Sequence, residues 1–310
     1  MPASPLPLRL AITGGTGFVG RTVVTLACAQ NLTLNALTRR PQDVCAGVTW
    51  IEGALDRDER LADLMADADA VLHIAGVVNA PDRAGFKMGN AAGTLAVVRA
   101  ARRAGVCRFI HVSSLSAREP QLSHYGWSKR RAEQIVMASG LDWTIIRPPA
   151  IYGPGDTELL ELFRLARRGL VLLPPKGRLS VIEVSDLARL LLACAQDEEE
   201  SIGAIYEADD GLEGGWSHQS FGRAIGSAVG RRVATLSTPR ALLHLAARAD
   251  GMLRGTKAKL TADRVSYFCH PDWVVDPAKR PPSWLWEPQV GTRAGLKNAA
   301  EWYREQGWLK

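Results

Sequence analysis

Eight residues near the start of the chain, Thr13-Gly14-Gly15-Thr16-Gly17-Phe18-Val19-Gly20, restrict its fold more than any other stretch. An apolar run, residues 8–13, leads into them, and a run with helical patterning, residues 21–30, leads out. A strand that turns through closely spaced glycines into a helix is the setting in which such a fingerprint carries meaning. Gly14 permits a tight turn at positive φ. Gly17 lets backbone approach a pyrophosphate, and Gly20 lets the helix pack closely on a sheet. Phosphates here would face unpaired amide N–H groups at the positive end of the helix. The turn points to a bound dinucleotide, contacted by Gly14, Thr16, Gly17, Phe18 and Val19. A glycine-rich turn with no ligand is the plainer alternative, and the further strand–helix unit behind it weighs against that.

Residues 8–150 alternate short apolar runs with helical patterns. Strands are expected at 8–13, 33–38, 48–51, 70–74, 108–113 and 143–147, with helices at 21–30, 60–66, 91–104 and 128–138. Runs apolar on both faces, alternating with helices, make an α/β protein with a parallel, doubly wound sheet. Ligands in such sheets sit beyond the C-terminal strand ends. After Gly153-Pro154-Gly155 the alternation breaks down. Helical patterns at 158–167, 184–195, 218–229 and 240–253 mix with short strands at 180–182 and 205–207. We expect a nucleotide-binding domain over 1–155 and a smaller C-terminal substrate lobe over 156–310, interleaved with the last sheet strands.

Composition excludes several classes. The net charge of +6 reads as spread along the chain, suited to an anionic cofactor or acidic lipid but too diffuse for nucleic acid. The five cysteines are scattered, without a Cys-x-x-Cys pair, and read as buried thiols of a reducing compartment. The histidines lack metal-ligand spacing, so no metal is expected. Met1-Pro2-Ala3-Ser4-Pro5 lacks the charged start and apolar core of a signal peptide, and no stretch reaches the ~18 apolar residues of a membrane span. A soluble, cytoplasmic protein is expected, with peripheral contact at the inner face of a membrane left open.

The second strand runs into Thr38-Arg39-Arg40, where an NAD-preferring site usually places an acid for the ribose 2′-OH. Arginines in its place suit a 2′-phosphate, so NADP(H) is preferred and NAD(H) is the alternative. Solvated loop cations are the bland reading. Further on, Tyr125-Gly126-Trp127-Ser128-Lys129 opens a helical pattern that puts Tyr125 and Lys129 on one face. A neighbouring ammonium, together with the positive charge of an oxidised nicotinamide, favours phenolate, which is expected to bring the tyrosine toward use as an acid or base. Ser113 and Ser114 close a strand at the same sheet edge, where a hydroxyl can hold a substrate oxygen.

With these pieces in order, the chain resembles the short-chain dehydrogenase/reductase family in its extended, epimerase/dehydratase form. The resemblance spans nearly the whole sequence. It rests on the glycine turn, His73-Ile-Ala-Gly76, Asn90-Ala-Ala-Gly-Thr94, Phe109-Ile-His-Val-Ser-Ser114, Tyr125-Gly-Trp-Ser-Lys129 and Arg147-Pro-Pro-Ala-Ile-Tyr-Gly-Pro154. It implies a Rossmann-type fold, Tyr125 as acid/base, Lys129 as its tuner and holder of the nicotinamide ribose, and Ser114 rather than Ser113 as the substrate-orienting serine. Ala75 and Gly76 would line the cofactor, and the backbone from Pro148 to Ile151 would meet the carboxamide. Ala54 stands where the family often has Asp, so Leu55 is left with packing or backbone contact to the adenine. The short Ser114–Tyr125 interval implies a more open mouth. His124 is expected to be exposed.

The Trp- and Pro-rich tail, with Trp284-Leu-Trp-Glu-Pro288 and Glu301-Trp-Tyr-Arg-Glu-Gln-Gly-Trp308, is similar to the ends of steroid- and lipid-acting members, among them bacterial reductases of oxidised ceramide. This favours an NADPH-dependent reductase of a bulky apolar ketone. A nucleotide-sugar epimerase or dehydratase with retained NAD and a non-catalytic dinucleotide-binding subunit are the alternatives. Ser237-Thr238-Pro239 starts a helix whose Leu242, Leu245, Ala246, Ala249, Met252 and Leu253 form one apolar stripe, accompanied by Arg240, Arg248, Arg254, Lys257 and Lys259. We expect that stripe to face the core, with peripheral membrane contact through 239–259 as the alternative. A homodimer is implied by the resemblance alone.

Overall fold

The computed structural model describes residues 8–310 except 198, 256, 257 and 259, so Met1–Pro5 and the lysines at 257 and 259 lie outside the described residues. The first half builds strands β1 (Arg9–Thr13), β2 (Thr33–Thr38), β3 (Val48–Glu52), β4 (Ala70–His73), β5 (Arg108–Val112), β6 (Asp142–Ile146) and β7 (Ala150–Tyr152). Between them lie helices α1 (Phe18–Ala29), α2 (Asp58–Met65), α3 (Arg83–Phe86), α4 (Gly93–Ala104) and α5 (His124–Met137). The second half adds helices α6 (Leu160–Arg167), α7 (Val184–Gln196), α8 (His218–Ala228), α9 (Arg240–Arg254), α10 (Ala262–Phe268) and α11 (Thr292–Glu305). Its strands are short: β8 (Leu170–Leu173), β9 (Arg178–Leu179), β10 (Val181–Glu183), β11 (Ile205–Tyr206), β12 (Trp216–Ser217), β13 (Ala234–Ser237) and β14 (Asp272–Trp273).

Seven strands form one parallel sheet in the order β11-β6-β5-β4-β1-β2-β3, a Rossmann-type arrangement. The order reverses beside β1, and a crevice opens at that switch point beyond the strand ends. Successive residues of each strand feed opposite layers. Leu10 and Ile12 pack under α1 and α7, whereas Ala11, Val71 and Phe109 pack under α2, α4 and α5. Both faces are covered, which is why these strands are apolar throughout.

The edge strand β11 is fastened by buried Arg108. Its guanidinium donates to the carbonyls of Asp142, Cys194 and Asp197 and to the hydroxyls of Thr144 and Ser201 at 2.6–3.0 Å. A second apolar core gathers α6, α8, α11 and β8, with Phe163 edge-on to Tyr303 at 5.1 Å. Most tail tryptophans are structural: Trp286 is buried and donates to the Asp186 carbonyl, and Trp302 packs edge-on to Trp308. Trp284 is exposed.

Two expectations are corrected. Of the cysteines only Cys194 is buried; Cys107 is exposed and the others are half-buried, because they sit on helix and loop surfaces outside the sheet layers. The apolar stripe of α9 does not face the core. Ala247 is the helix's buried residue, and Leu242, Leu245, Met252 and Leu253 are exposed on the opposite side. None of the helices in the described residues is long and apolar enough to cross a membrane.

Candidate active site

The glycine turn performs the steric work its sequence implies. Gly14 adopts φ +79°, and a Cβ there would stand 2.7 Å from the Ala75 amide nitrogen. A Cβ on Gly20 would stand 2.0 Å from the Gly14 carbonyl oxygen. Gly17 precedes α1 in extended conformation; no side chain caps the helix and its first turn holds no acid. The leading N–H groups of α1 are thereby left for an anion. Ala75 and Gly76 follow β4 across the switch point, and the Ala75 amide donates to Thr13 Oγ1 at 3.3 Å. Arg39 and Arg40 are exposed at the end of β2, where the Thr38 hydroxyl closes the turn on the Arg40 carbonyl at 2.7 Å. Leu55 reaches α4, its Cδ1 lying 2.8 Å from where a Cβ on Gly93 would be. Pro148 is buried and its carbonyl accepts from Leu115 N at 2.9 Å; Ile151 lies on β7 against the main core.

The two strand-end serines are separated by their partners. Ser113 Oγ is committed, donating to Glu133 Oε1 at 2.7 Å within a buried ionic cluster. Ser114 lies beside Tyr125, near enough for hydrogen bonding to lower its phenol. Ser114 Oγ also accepts from Ser116 Oγ at 3.0 Å and Ser116 N at 3.2 Å, which leaves its own proton for another acceptor. The Tyr125 ring packs against Phe86 (centroids 6.0 Å apart) and edge-on to Tyr267 (6.4 Å).

Burial among those rings raises the Tyr125 phenol above its ordinary value; Ser114 and the Arg264 charge pull it down only in part. Lys129 is not among the groups that shift it. The Lys129 ammonium is turned to the Val112 carbonyl at 2.9 Å and is buried, which lowers it to about 8 against the upward pull of Glu133. Glu133 lies one turn further along α5, where Arg147 grips it with two hydrogen bonds of 2.7 and 2.8 Å. Arg147 in turn approaches Glu207 at 3.4 Å, and Glu207 takes Arg118 at 3.2 Å. This chain of charges fixes α5 to the strand ends.

Asn90, which the sequence offers only as part of a motif, is tied to the site by its contacts. It lies in a π-helical turn, Lys87–Ala92, between α3 and α4. Its Oδ1 accepts from Val77 N at 2.8 Å, and its Nδ2 donates to the Val77 carbonyl at 3.1 Å and to Ser128 Oγ at 2.8 Å. One side chain thus joins the loop after β4 to the helix of Tyr125 and Lys129.

The mouth also differs from expectation. The space beside the short Ser114–Tyr125 interval is occupied by α10, whose Asp263 accepts from His124 N at 2.7 Å and whose Tyr267 overlies Tyr125. Nothing in the local sequence of α10 signals this, since its partners lie about 140 residues away. The His124 side chain is exposed.

Residues 14–198 match a family model described as NAD(P)H-binding. The chain is 35% identical over 309 residues to a ceramide reductase of Caulobacter vibrioides, covering 97% of this chain and 96% of that protein. The chain belongs to the extended short-chain dehydrogenase/reductase family. It is also 32% identical, over 49% of its length and 53% of the relative's, to a 4-hydroxy-2-methyl-3-oxo-4-farnesyl-3,4-dihydroquinoline-1-oxide ketoreductase of Stigmatella aurantiaca. The structure of MoeE5 in complex with UDP-glucose and NAD superposes with a TM-score of 0.72 at 23% identity, covering 96% of this chain and 99% of that one.

As a member of this family the chain is an NAD(P)-dependent oxidoreductase-type enzyme. The cradle suits a dinucleotide: side chains at Gly14 and Gly20 would collide with backbone, and the helix start behind them is open to phosphate.

Proposed function

We propose that the protein is an NADPH-dependent ketoreductase of a bulky, apolar, lipid-like ketone such as an oxidised ceramide. The observation that carries this reading is the Tyr125–Ser114 pair, set under the aromatic rings of Phe86 and Tyr267. Ser114, with its acceptor positions filled by Ser116, donates to the ketone oxygen and orients it. Tyr125, a phenol and so protonated at neutral pH, gives its proton to that oxygen as the alcohol forms; burial raises the phenol further. A phenol held in its acid form suits reduction; the reverse reaction needs phenolate and therefore a higher pH. The dinucleotide, when bound, supplies the hydride. The glycine turn, Ala75, Gly76, Leu55, Lys129 and the segment from Pro148 to Ile151 hold it, with Arg39 and Arg40 on the 2′-phosphate. Residues 156–310 serve as the substrate lobe. The near-full-length likeness to a ceramide reductase supports a lipid ketone.

The test is coenzyme oxidation against lipid ketones, steroid ketones and keto intermediates of nucleotide sugars, with NADPH and NADH in parallel. Turnover of lipid ketones with NADPH is expected. Replacing both arginines (Arg39→Ser with Arg40→Ser) should reduce the NADPH-over-NADH preference by about tenfold or more. Activity confined to sugars, with NAD retained through purification, would make it an epimerase instead.

A further inference from the structure

The outward stripe of α9 is left unexplained by a ketoreductase. Leu243, His244, Ala247 and Gly251 turn toward the protein, whereas Leu242, Leu245, Ala249, Met252 and Leu253 look out from the far side. Met252 is 81% exposed and Leu253 86%. Leu236 and Leu172, register partners on β13 and β8 just before the helix, are exposed as well. Folded chains seldom leave so many large aliphatic side chains together in water without a partner.

Charge identifies the partner. Counted over the whole chain the net +6 looks diffuse, but all of it falls within residues 231–260, where seven arginines and lysines face one acid, Asp250. That acid is paired with Arg254 at 3.2 Å. Arg240 and Arg248 are exposed on α9 itself, and Arg231 and Arg232 are exposed on the segment that leads into β13. The remainder of the chain is electrically balanced. An apolar helix face on a helix that also exposes Arg240 and Arg248 is complementary to a bilayer with anionic headgroups: leucines enter the acyl boundary and guanidiniums meet phosphates.

We infer that α9 docks the protein on an anionic lipid bilayer through the face running from Leu242 to Leu253. The helix next to it, α10, packs against α9 and carries Tyr267 over Tyr125. Docking therefore places the mouth of the site close to the lipid surface. This deepens the reading of a lipid ketone and rests on it for its purpose, but vesicle binding is measured without turnover.

The experiment is flotation of the full-length protein with vesicles of phosphatidylcholine alone or with roughly one part in three phosphatidylglycerol. Binding to the anionic vesicles, weakened by salt, is expected. Leu245→Glu combined with Met252→Glu should weaken it about tenfold or more, since each change removes an inserted apolar side chain. Arg240→Glu with Arg248→Glu should weaken it on anionic vesicles only. Both substitution pairs lie on exposed positions, so activity on a detergent-dispersed ketone should stay within about twofold of the parent. The inference is overturned by a parent protein that stays free of anionic vesicles, by equal binding to phosphatidylcholine alone, or by undiminished binding of the glutamate variant. A stable dimer that the glutamate variant splits, with no vesicle affinity, would overturn it in favour of a second copy of the chain. Firm docking without reduction of any ketone would uphold α9 and reject only the substrate reading.

Discussion

At the scale of single residues, two neighbouring serines show how much partners decide. Ser113 and Ser114 are alike in sequence, yet Ser113 is spent on Glu133 and Ser114 is turned to Tyr125. Tyr125→Phe removes the proton donor without altering the ring packing. We expect kcat to fall by about 10²–10⁴-fold, with thermal stability and NADPH binding retained, as measured by turnover and coenzyme titration. Lys129 supplies a pH test. Burial lowers its ammonium from the ordinary 10.5 to about 8, so its charge is lost as pH rises through that value. The reduction rate at saturating ketone should decline above pH ~8, and Lys129→Met should abolish that limb of the profile along with most activity. That Tyr125 and Lys129 share one helix was legible in the sequence because a spacing of four residues fixes its own geometry there, and so was the strand end beside Ser114. The packing of the Tyr125 ring on Phe86 and Tyr267, and the rise that burial gives its phenol, were not, because those rings come from distant parts of the chain.

At the scale of elements, hydrophobic periodicity located six of the seven strands of the first half to within about a residue or two, and missed the short β7. Periodicity says which side chains share a face, but not which way that face looks. The stripe on α9 was therefore legible while its outward direction was not. The π-helical turn at Lys87–Ala92 was equally hidden, since Gly-Asn-Ala-Ala-Gly carries little pattern of its own. That turn places Asn90 between the loop after β4 and α5. Asn90→Ala leaves the Val77 N–H and carbonyl and the Ser128 hydroxyl short of a partner, costing on the order of 1–3 kcal/mol. The expected result is a lower melting temperature together with a raised KM for NADPH. A melting change with unaltered coenzyme kinetics would make Asn90 structural only.

At the scale of the whole molecule, the sheet order sets the switch point, and two buried histidines lie at its centre. His73 bridges Thr13 and Thr94 through its ring nitrogens at 2.7 and 2.9 Å. His111 stacks on His73 at 5.3 Å with no hydrogen-bond partner among the described residues. Burial, and then the Lys129 charge, lowers His73 to about 3; burial lowers His111 well below its ordinary value, with His73 and Lys129 adding to the effect. The folded state thus binds these protons less readily than the unfolded chain. Their contribution to stability is complete above the unfolded value near 6.5 and is lost as pH falls toward 3. For His73 alone the loss is on the order of 4 kcal/mol over that span. Denaturant unfolding at pH 7 and pH 4.5 should show a marked fall, and His73→Gln should flatten it.

The central claim is that the chain uses Tyr125 to complete a net ketone reduction with an exchangeable coenzyme. It is tested most directly by following the label from NADPH deuterated at nicotinamide C4 into a lipid ketone, by mass spectrometry. The account predicts one deuterium on the new carbinol carbon, transferred from one face of the coenzyme only, and label transfer slowed about 10²–10⁴-fold in the Tyr125→Phe protein. Unlabelled product, or label transfer undiminished in the Phe variant, would contradict it.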